Sequence, residues 1–246
     1  MKIAFKSFFL AALVLVCSCS KSSDADLVEP ETPEESETYA RMECDGLPYR
    51  MAETGPGSGR PILVMYLHGG SSKGEDNEIQ LNEPAVENIR TFLAANGLSA
   101  IFIIPQCPSS DSWGAKMNSK LNVLLRKYES SCSSEYVLGG SMGGTGTWSL
   151  ANTYPGRFAA IMPCAGKPGT ALATNFTTTG VCSVMSEADA VMKGVYKDVV
   201  EFTDKINAAG GKARCDVIPE SEGWSHADIC ENAYSDERLA WLFNIR

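Results

Sequence analysis

The sequence predicts an α/β fold in which helices cover both faces of a mostly parallel central sheet. Apolar segments of strand length alternate along the chain with helix-compatible segments, as in a parallel sheet with helical crossovers. The segments 61–67 (PILVMYL) and 99–104 (SAIFII) are apolar at consecutive positions, as expected for strands buried on both faces. A chain of 246 residues, 44% of them hydrophobic, can form one domain with a substantial core.

The individual elements follow from local patterns of apolar residues and from the turn residues between them. We expect an opening strand or hairpin over 41–51 and a turn cluster (TGPGSGRP) over 54–61. Further strands are predicted at 61–67, 99–104, 136–138, 158–165, 181–185 and 212–219. Helices are predicted at 84–96, 115–130, 145–154, 194–208 and 236–244. No internal repeat is visible, so residues 41–246 are interpreted as one domain.

The N-terminus has the pattern of a lipoprotein signal. A basic start precedes an apolar stretch that is too short for an ordinary transmembrane helix, and the run VCSC follows it. We therefore expect residues 1–18 to be a signal peptide and Cys19 to carry the lipid. A cut before Cys17 would put a bulky valine at the cleavage site, and a simple secretory signal is the other alternative.

Residues 19–40 are predicted to be an acidic, disordered tether, because they are rich in carboxylates and contain two prolines. The segment resembles the acidic leaders of Gram-negative surface lipoproteins. We expect an exported protein whose N-terminal lipid attaches it to a membrane. Ser20 favours the outer membrane, with the domain facing the cell surface or the periplasm. A formal charge of −9 argues against nucleic acid as a partner.

Cysteine and histidine counts limit the metal and disulfide chemistry of the chain. Seven of the nine cysteines lie beyond the predicted signal, so at least one thiol is expected to stay free, and the sequence leaves the pairing open. The chain has only two histidines and no C-x-x-C pair, so we expect no metal site and no cofactor.

The segment 136–148 (YVLGGSMGGTGTW) has the layout of a nucleophile elbow. A short apolar strand leads into Ser141, which is flanked by glycines, and a helix-compatible segment follows. The turn is so tight that the residues two before and two after the serine must be small, and Gly139 and Gly143 meet that demand. The alternative is an ordinary glycine-rich turn between a strand and a helix.

A serine nucleophile needs a base, and the base needs an orienting acid. His226 lies in a polar segment (ESEGWSH) between the last predicted strand and the last helix, where the base belongs if the order is serine, acid, histidine. The alternative is a surface histidine in a loop. Asp189, after the next-to-last strand of the series, is the preferred acid, and Glu187 is the second choice. The other acids fall in a helix, inside a strand or after the histidine: Asp198, Glu201, Asp204, Asp216 and Asp228.

Two backbone N–H groups are expected to bind the oxyanion of a tetrahedral intermediate. One belongs to Met142, the residue after the proposed nucleophile. The other is assigned to Gly70, because Gly69 and Gly70 let the chain turn inward after the strand 61–67. His68 is then expected to support this loop as a packed histidine rather than to act as the base.

These motifs together resemble those of the α/β-hydrolase esterases, in the group of predicted peptidases, polyhydroxybutyrate depolymerases and feruloyl esterases. The resemblance runs from about residue 60 to 246 and rests on LHGG at 67–70, KGEDN at 73–77, IPQCP at 104–108 and GSMGG at 140–144. It implies that Ser141, Asp189 and His226 are the catalytic triad. It also implies substrate contacts for Gln106 and Trp113, and Trp224 is expected to contact the substrate too. The segment 185–193 (MSEADAVMK) departs from the family, which has His-Gly followed by Asp-x-x-Val-Pro.

The resulting hypothesis is a lipid-anchored serine esterase that acts on a small-molecule or oligosaccharide ester. The family and the predicted location suggest feruloyl or acetyl esters of plant polysaccharides. A serine peptidase of the prolyl-oligopeptidase type uses the same triad and remains an alternative. A non-catalytic, carbohydrate-binding surface lipoprotein on a hydrolase fold is another.

Overall fold

A computed structural model describes residues 38–56 and 59–244 of the chain. The predicted signal peptide, the lipidation site at Cys19 and most of the predicted tether lie outside these residues. Over the described ranges, none of the helices has the length and hydrophobicity to cross a bilayer. The last two residues of the predicted tether make contacts with the domain, because Ala40 pairs with Met51 and the hydroxyl of Tyr39 donates to Glu87 at 3.1 Å.

The eight strands of the described residues form one sheet, in the order β1-β2-β4-β3-β5-β6-β7-β8. Their bounds are β1 Ala40–Cys44, β2 Leu47–Thr54, β3 Ile62–Leu67, β4 Ala100–Pro105, β5 Glu135–Gly140, β6 Ala160–Cys164, β7 Gly180–Ser186 and β8 Lys212–Ile218. The β1-β2 and β2-β4 pairs are antiparallel, and all pairs from β4 to β8 are parallel. The predicted mostly parallel sheet is confirmed, and the predicted opening hairpin forms its antiparallel edge.

The described residues form six α-helices, which lie on both faces of the sheet. They are α1 Pro84–Ala95, α2 Ala115–Glu129, α3 Met142–Thr153, α4 Val195–Ala208, α5 His226–Asn232 and α6 Asp236–Asn244. Alternate residues of β3 point to opposite faces, as the period of a strand requires. Leu63, Met65 and Leu67 join a core with α2, α3 and α4. Val64 and Tyr66 join a second core with α1, α5 and α6.

Two helices differ from the prediction. Helix α3 begins at Met142, directly after Ser141, rather than at residue 145. Helix α5 replaces the predicted polar loop at His226. Ser225 and Asp228 form a capping box there, in which the serine side chain accepts from the Asp228 N–H and the carboxylate accepts from the Ser225 N–H at 2.7 Å. The S-x-x-D spacing was the sequence signal for this helix.

The topology brings four chain segments to one edge of the sheet. Strands β3, β5, β7 and β8 are parallel, so their carboxyl ends lie on the same side. The segments that leave them carry Gly70, Ser141, Asp189 and His226. Ligand sites of open α/β sheets form at this edge. The seven cysteines of the described residues are all free thiols.

Candidate active site

Ser141 occupies a sharp turn between β5 and α3. Its backbone has φ 56° and ψ −116°, a conformation that residues other than glycine rarely adopt. The neighbouring chain passes very close to the flanking glycines. A Cβ atom on Gly143 would lie 1.7 Å from the carbonyl oxygen of Leu67, and one on Gly139 would lie 2.5 Å from the oxygen of Gly143. The two glycines are therefore a steric requirement of the turn that presents the serine.

His226 lies within hydrogen-bond distance of this serine. Its Nε2 atom is 2.7 Å from Ser141 Oγ, and its side chain is 19% exposed. His226 is the first residue of α5, so the Ser225 cap that starts the helix also places the imidazole. Nε2 can accept the proton of the Ser141 hydroxyl, because Nδ1, the other ring nitrogen, faces a hydrogen-bond acceptor.

That acceptor is Asp189. Its Oδ2 atom is 2.7 Å from His226 Nδ1, and its side chain is fully buried. The second oxygen, Oδ1, accepts from the backbone N–H groups of Val191 and Met192, both at 2.9 Å. Glu187, the second candidate, is exposed and accepts instead from Glu220 N–H at 3.0 Å. The structure thus brings Asp189, rather than Glu187, against the histidine.

The two proposed oxyanion donors lie at helix starts beside the serine. Met142 is the first residue of α3, and Gly70 is the first residue of a short 3-10 helix, Gly70–Ser72. An N–H group at such a position has no acceptor within its own helix. The adjacent Gly69 lies against the nucleophile, since a Cβ atom on it would be 3.8 Å from the Cβ of Ser141. Both N–H groups are therefore suited to an oxyanion on a substrate bound to Ser141.

His68 supports this loop from inside the protein, in the role that the sequence predicts. Its side chain is fully buried, Nδ1 lies 2.7 Å from the oxygen of Gly69, and Nε2 accepts from the Cys107 N–H at 2.9 Å. These partners assign the proton to Nδ1. Burial lowers the pKa of His68, which keeps the ring neutral at neutral pH. The Nδ1–H donor holds the carbonyl of the peptide whose nitrogen belongs to Gly70.

Two of the three predicted substrate contacts lie in the protein interior. Gln106 is fully buried, where it accepts from the Asn77 N–H at 2.6 Å and donates to Asp76 at 2.7 Å. Trp113 is 4% exposed, and its Nε1 donates to the His68 oxygen at 2.9 Å. Neither residue is among those that line the cleft at Ser141, and both brace the chain around the loop at His68.

Trp224, the third predicted contact, is half-buried and packs against the core formed with α1, α5 and α6. Its backbone oxygen accepts from the hydroxyl of Ser186 at 2.7 Å. It is not one of the residues that line the cleft at Ser141. Its contacts tie the end of β7 to the segment that precedes His226.

An open cleft of 760 Å³ leads to Ser141 and His226. One wall is formed by the loop 69–72, Ile79 and the segment 82–84. The other wall is formed by a second group of residues: Val191, Ala227, Cys230 and Glu231. Within residues 38–56 and 59–244, no group of three or more histidine, cysteine or acidic side chains could hold a metal ion. Because the cleft opens onto Ser141 and His226, a substrate of moderate size can reach both the serine hydroxyl and the imidazole.

No protein-family model matches this chain, and comparison with curated proteins found no similar sequence. Solved structures do match it. A thermostable esterase shares 23% identity, with a TM-score of 0.72 over 83% of this chain, and the chain spans only 62% of the length of that esterase. Est1E from Butyrivibrio proteoclasticus, solved with ferulic acid bound, has 12% identity and a TM-score of 0.60 over 83% of this chain and 99% of its own. The Pyrococcus furiosus esterase Pf2001 has 14% identity and a TM-score of 0.60 over 84% and 93%. The chain has the α/β-hydrolase fold.

Proposed function

We propose that this protein is a serine hydrolase of carboxylic esters, with Ser141, His226 and Asp189 as its catalytic triad. The observation that carries the proposal is the unbroken chain of contacts from Asp189 Oδ2 through the imidazole to Ser141 Oγ, with both distances at 2.7 Å. This series of contacts ends at a serine in a strained backbone conformation, which favours a role as nucleophile over a structural role for Ser141.

Catalysis begins when Ser141 Oγ attacks the ester carbonyl carbon and its proton passes to His226 Nε2. Asp189 keeps the imidazole in the tautomer that can accept this proton and stabilises the resulting imidazolium. The carbonyl oxygen becomes an oxyanion, which the N–H groups of Met142 and Gly70 bind. The intermediate then expels the alcohol, which takes the proton from His226.

The acyl-enzyme is hydrolysed by the same groups. Water attacks the acyl carbon while His226 removes one of its protons, and a second oxyanion forms in the same site. Collapse of this intermediate breaks the bond to Ser141 Oγ, and the serine recovers its proton from His226. The products are the alcohol and the carboxylic acid, and no cofactor is consumed.

For the substrate we propose feruloyl or acetyl esters of plant polysaccharides. The open cleft suits an ester that projects from a bulky oligosaccharide. One protein of the same fold, Est1E, binds ferulic acid, which gives the feruloyl group precedence among acyl groups to test. The location goes with this proposal: an exported lipoprotein, anchored through Cys19 to the outer membrane, would meet such polymers outside the cytoplasm.

The proposal is tested with purified wild-type protein and the variant Ser141→Ala. A fluorophosphonate should label the wild type and fail to label the variant. Hydrolysis of methyl ferulate and aryl acetates should depend on Ser141, and proline-containing anilides should be poor substrates. Equal labelling of both proteins would refute the serine mechanism. Activity on the anilides alone would refute the esterase assignment in favour of a peptidase, and a folded wild type without any hydrolysis would favour a binding protein.

A further inference from the structure

Glu83 lies on the wall of the cleft and accepts three hydrogen bonds, none of which has a part in the proposed mechanism. Its Oε1 atom accepts from the Gly69 N–H and from the Ser72 hydroxyl, both at 2.7 Å. Its Oε2 atom accepts from the hydroxyl of Tyr66 at 2.6 Å. A carboxylate provides two acceptor oxygens and can take all three donors at once.

The position of Glu83 in the chain makes these contacts informative. Glu83 is the residue that precedes α1, the position from which a side-chain oxygen can accept from the first N–H groups of the helix. Here the side chain makes no capping bond, and Pro84 follows as the first helical residue. The carboxylate instead turns to the loop after β3. Its contacts therefore stabilise the loop rather than the helix.

The donors bracket the residue that supplies an oxyanion-binding N–H. Gly69 comes directly before Gly70, and Ser72 comes two residues after it, so a single carboxylate oxygen holds both sides of the turn. From the interior, His68 Nδ1 holds the Gly69 carbonyl. The peptide group that joins Gly69 to Gly70 is thus held from two sides. His68 binds its carbonyl oxygen, and Glu83 binds the N–H of Gly69 in the preceding peptide group. Glycine is conformationally permissive, so without these contacts the turn would sample other orientations.

We propose that Glu83 is a positioning residue for the oxyanion-binding turn, acting through the Gly69 N–H and the Ser72 hydroxyl to aim the Gly70 N–H at a substrate on Ser141. The inference rests on the proposed esterase function. It assigns Glu83 no proton transfer and no bond to the substrate. Its effect belongs to the transition state, because the oxyanion exists only there and in the tetrahedral intermediates.

The test compares Glu83→Ala with Glu83→Gln in ester hydrolysis. Loss of an aligned oxyanion donor lowers kcat by about 10²–10³-fold, so a turn that is only partly misaligned should lower kcat by about 10- to 100-fold, with KM changed less than about threefold. The glutamine can keep its oxygen on Gly69 and Ser72 while its amide faces the hydroxyl of Tyr66, which can rotate to accept. Glu83→Gln should therefore retain kcat within about threefold of the wild type.

The matched control is Glu87→Ala. Glu87 lies in the first turn of the same helix, is exposed, and binds Tyr39, Arg90 and Thr91 away from the cleft. Its removal should leave kcat unchanged. The double variant Tyr66→Phe/Glu83→Ala removes the hydroxyl that Glu83→Ala would leave unpaired, and it should fold even if the single variant does not.

The outcomes separate this inference from the function on which it rests. If the wild type and Glu87→Ala hydrolyse esters, Ser141→Ala does not, and folded Glu83→Ala has wild-type kcat, the positioning role is refuted and the esterase stands. A loss of kcat in Glu83→Gln equal to that in Glu83→Ala would also refute the positioning role. So would failure of both Glu83→Ala and Tyr66→Phe/Glu83→Ala to fold, because it would show that Glu83 has a structural role. If the wild type hydrolyses no ester, the proposed function fails and this inference fails with it.

Discussion

Replacing Asp189 with asparagine should abolish most activity while leaving the fold intact. In the structure, Oδ1 of Asp189 accepts from the backbone N–H groups of Val191 and Met192, and Oδ2 faces His226 Nδ1. The asparagine oxygen is the only side-chain atom that can accept from the two N–H groups, so the amide nitrogen must face the histidine. That nitrogen donates, which makes Nδ1 the acceptor and moves the imidazole proton to Nε2.

A histidine protonated at Nε2 can no longer accept the proton of Ser141, which lies 2.7 Å away. A wrong tautomer of this kind in a serine triad lowers kcat by about 10⁴-fold. The decrease corresponds to a rise in the activation free energy of about 5.5 kcal/mol. The fold should change little, because both backbone bonds survive, and the free energy of unfolding should fall by less than about 1.5 kcal/mol.

The assay is steady-state hydrolysis of an aryl acetate, with the rate of fluorophosphonate labelling and a urea unfolding curve measured on the same samples. Glu187→Gln is the matched control, because Glu187 lies in the same loop, is exposed and accepts from the backbone N–H of Glu220 rather than from His226. Its kcat should stay within about twofold of the wild type. An Asp189→Asn enzyme within tenfold of the wild type, or an equally damaged Glu187→Gln, would refute the assignment of the acid.

Three further predictions follow from burial and close packing. Gly143→Ala should lower the free energy of unfolding by more than about 3 kcal/mol, because its Cβ atom would lie 1.7 Å from the oxygen of Leu67, and a urea midpoint equal to that of the wild type would contradict this. Burial lowers the pKa of His68, so below its ordinary value the unfolded chain binds a proton that the folded chain does not, and stability should fall with decreasing pH. This loss should begin below about pH 6.5, should not exceed about 1.4 kcal/mol per pH unit, and should be absent from the urea curves of His68→Gln; equal slopes would contradict the assignment. Three thiols should react with iodoacetamide at about pH 8 more than about 100-fold slower than in urea, as read by peptide mass spectrometry, because burial raises their pKa to about 12: Cys182, Cys215 and Cys230. Equal labelling in buffer and in urea would contradict the raised pKa values of these thiols.

Local sequence patterns were sufficient to predict the parallel sheet, the serine turn and the order of the functional segments. These features depend on local patterns. The consecutive apolar residues of β3 and β4 can only be satisfied by burial on both faces, and the glycines around Ser141 are required within a few residues of it. The predicted support of the loop by His68 also follows from local order, because that residue directly follows a buried strand.

The pairing of polar side chains from distant segments could not be predicted from such patterns. Asp189 and Glu187 are two residues apart, and the choice between them depends on the backbone N–H groups that turn one carboxylate inward toward His226. The burial of Gln106, expected at the cleft, and the contacts of Glu83, which no sequence pattern indicated, depend on how distant loops pass over one another. A local pattern specifies strands and turns because its interactions lie within a few residues. The partner of a polar side chain is specified by the path of segments far away in the chain.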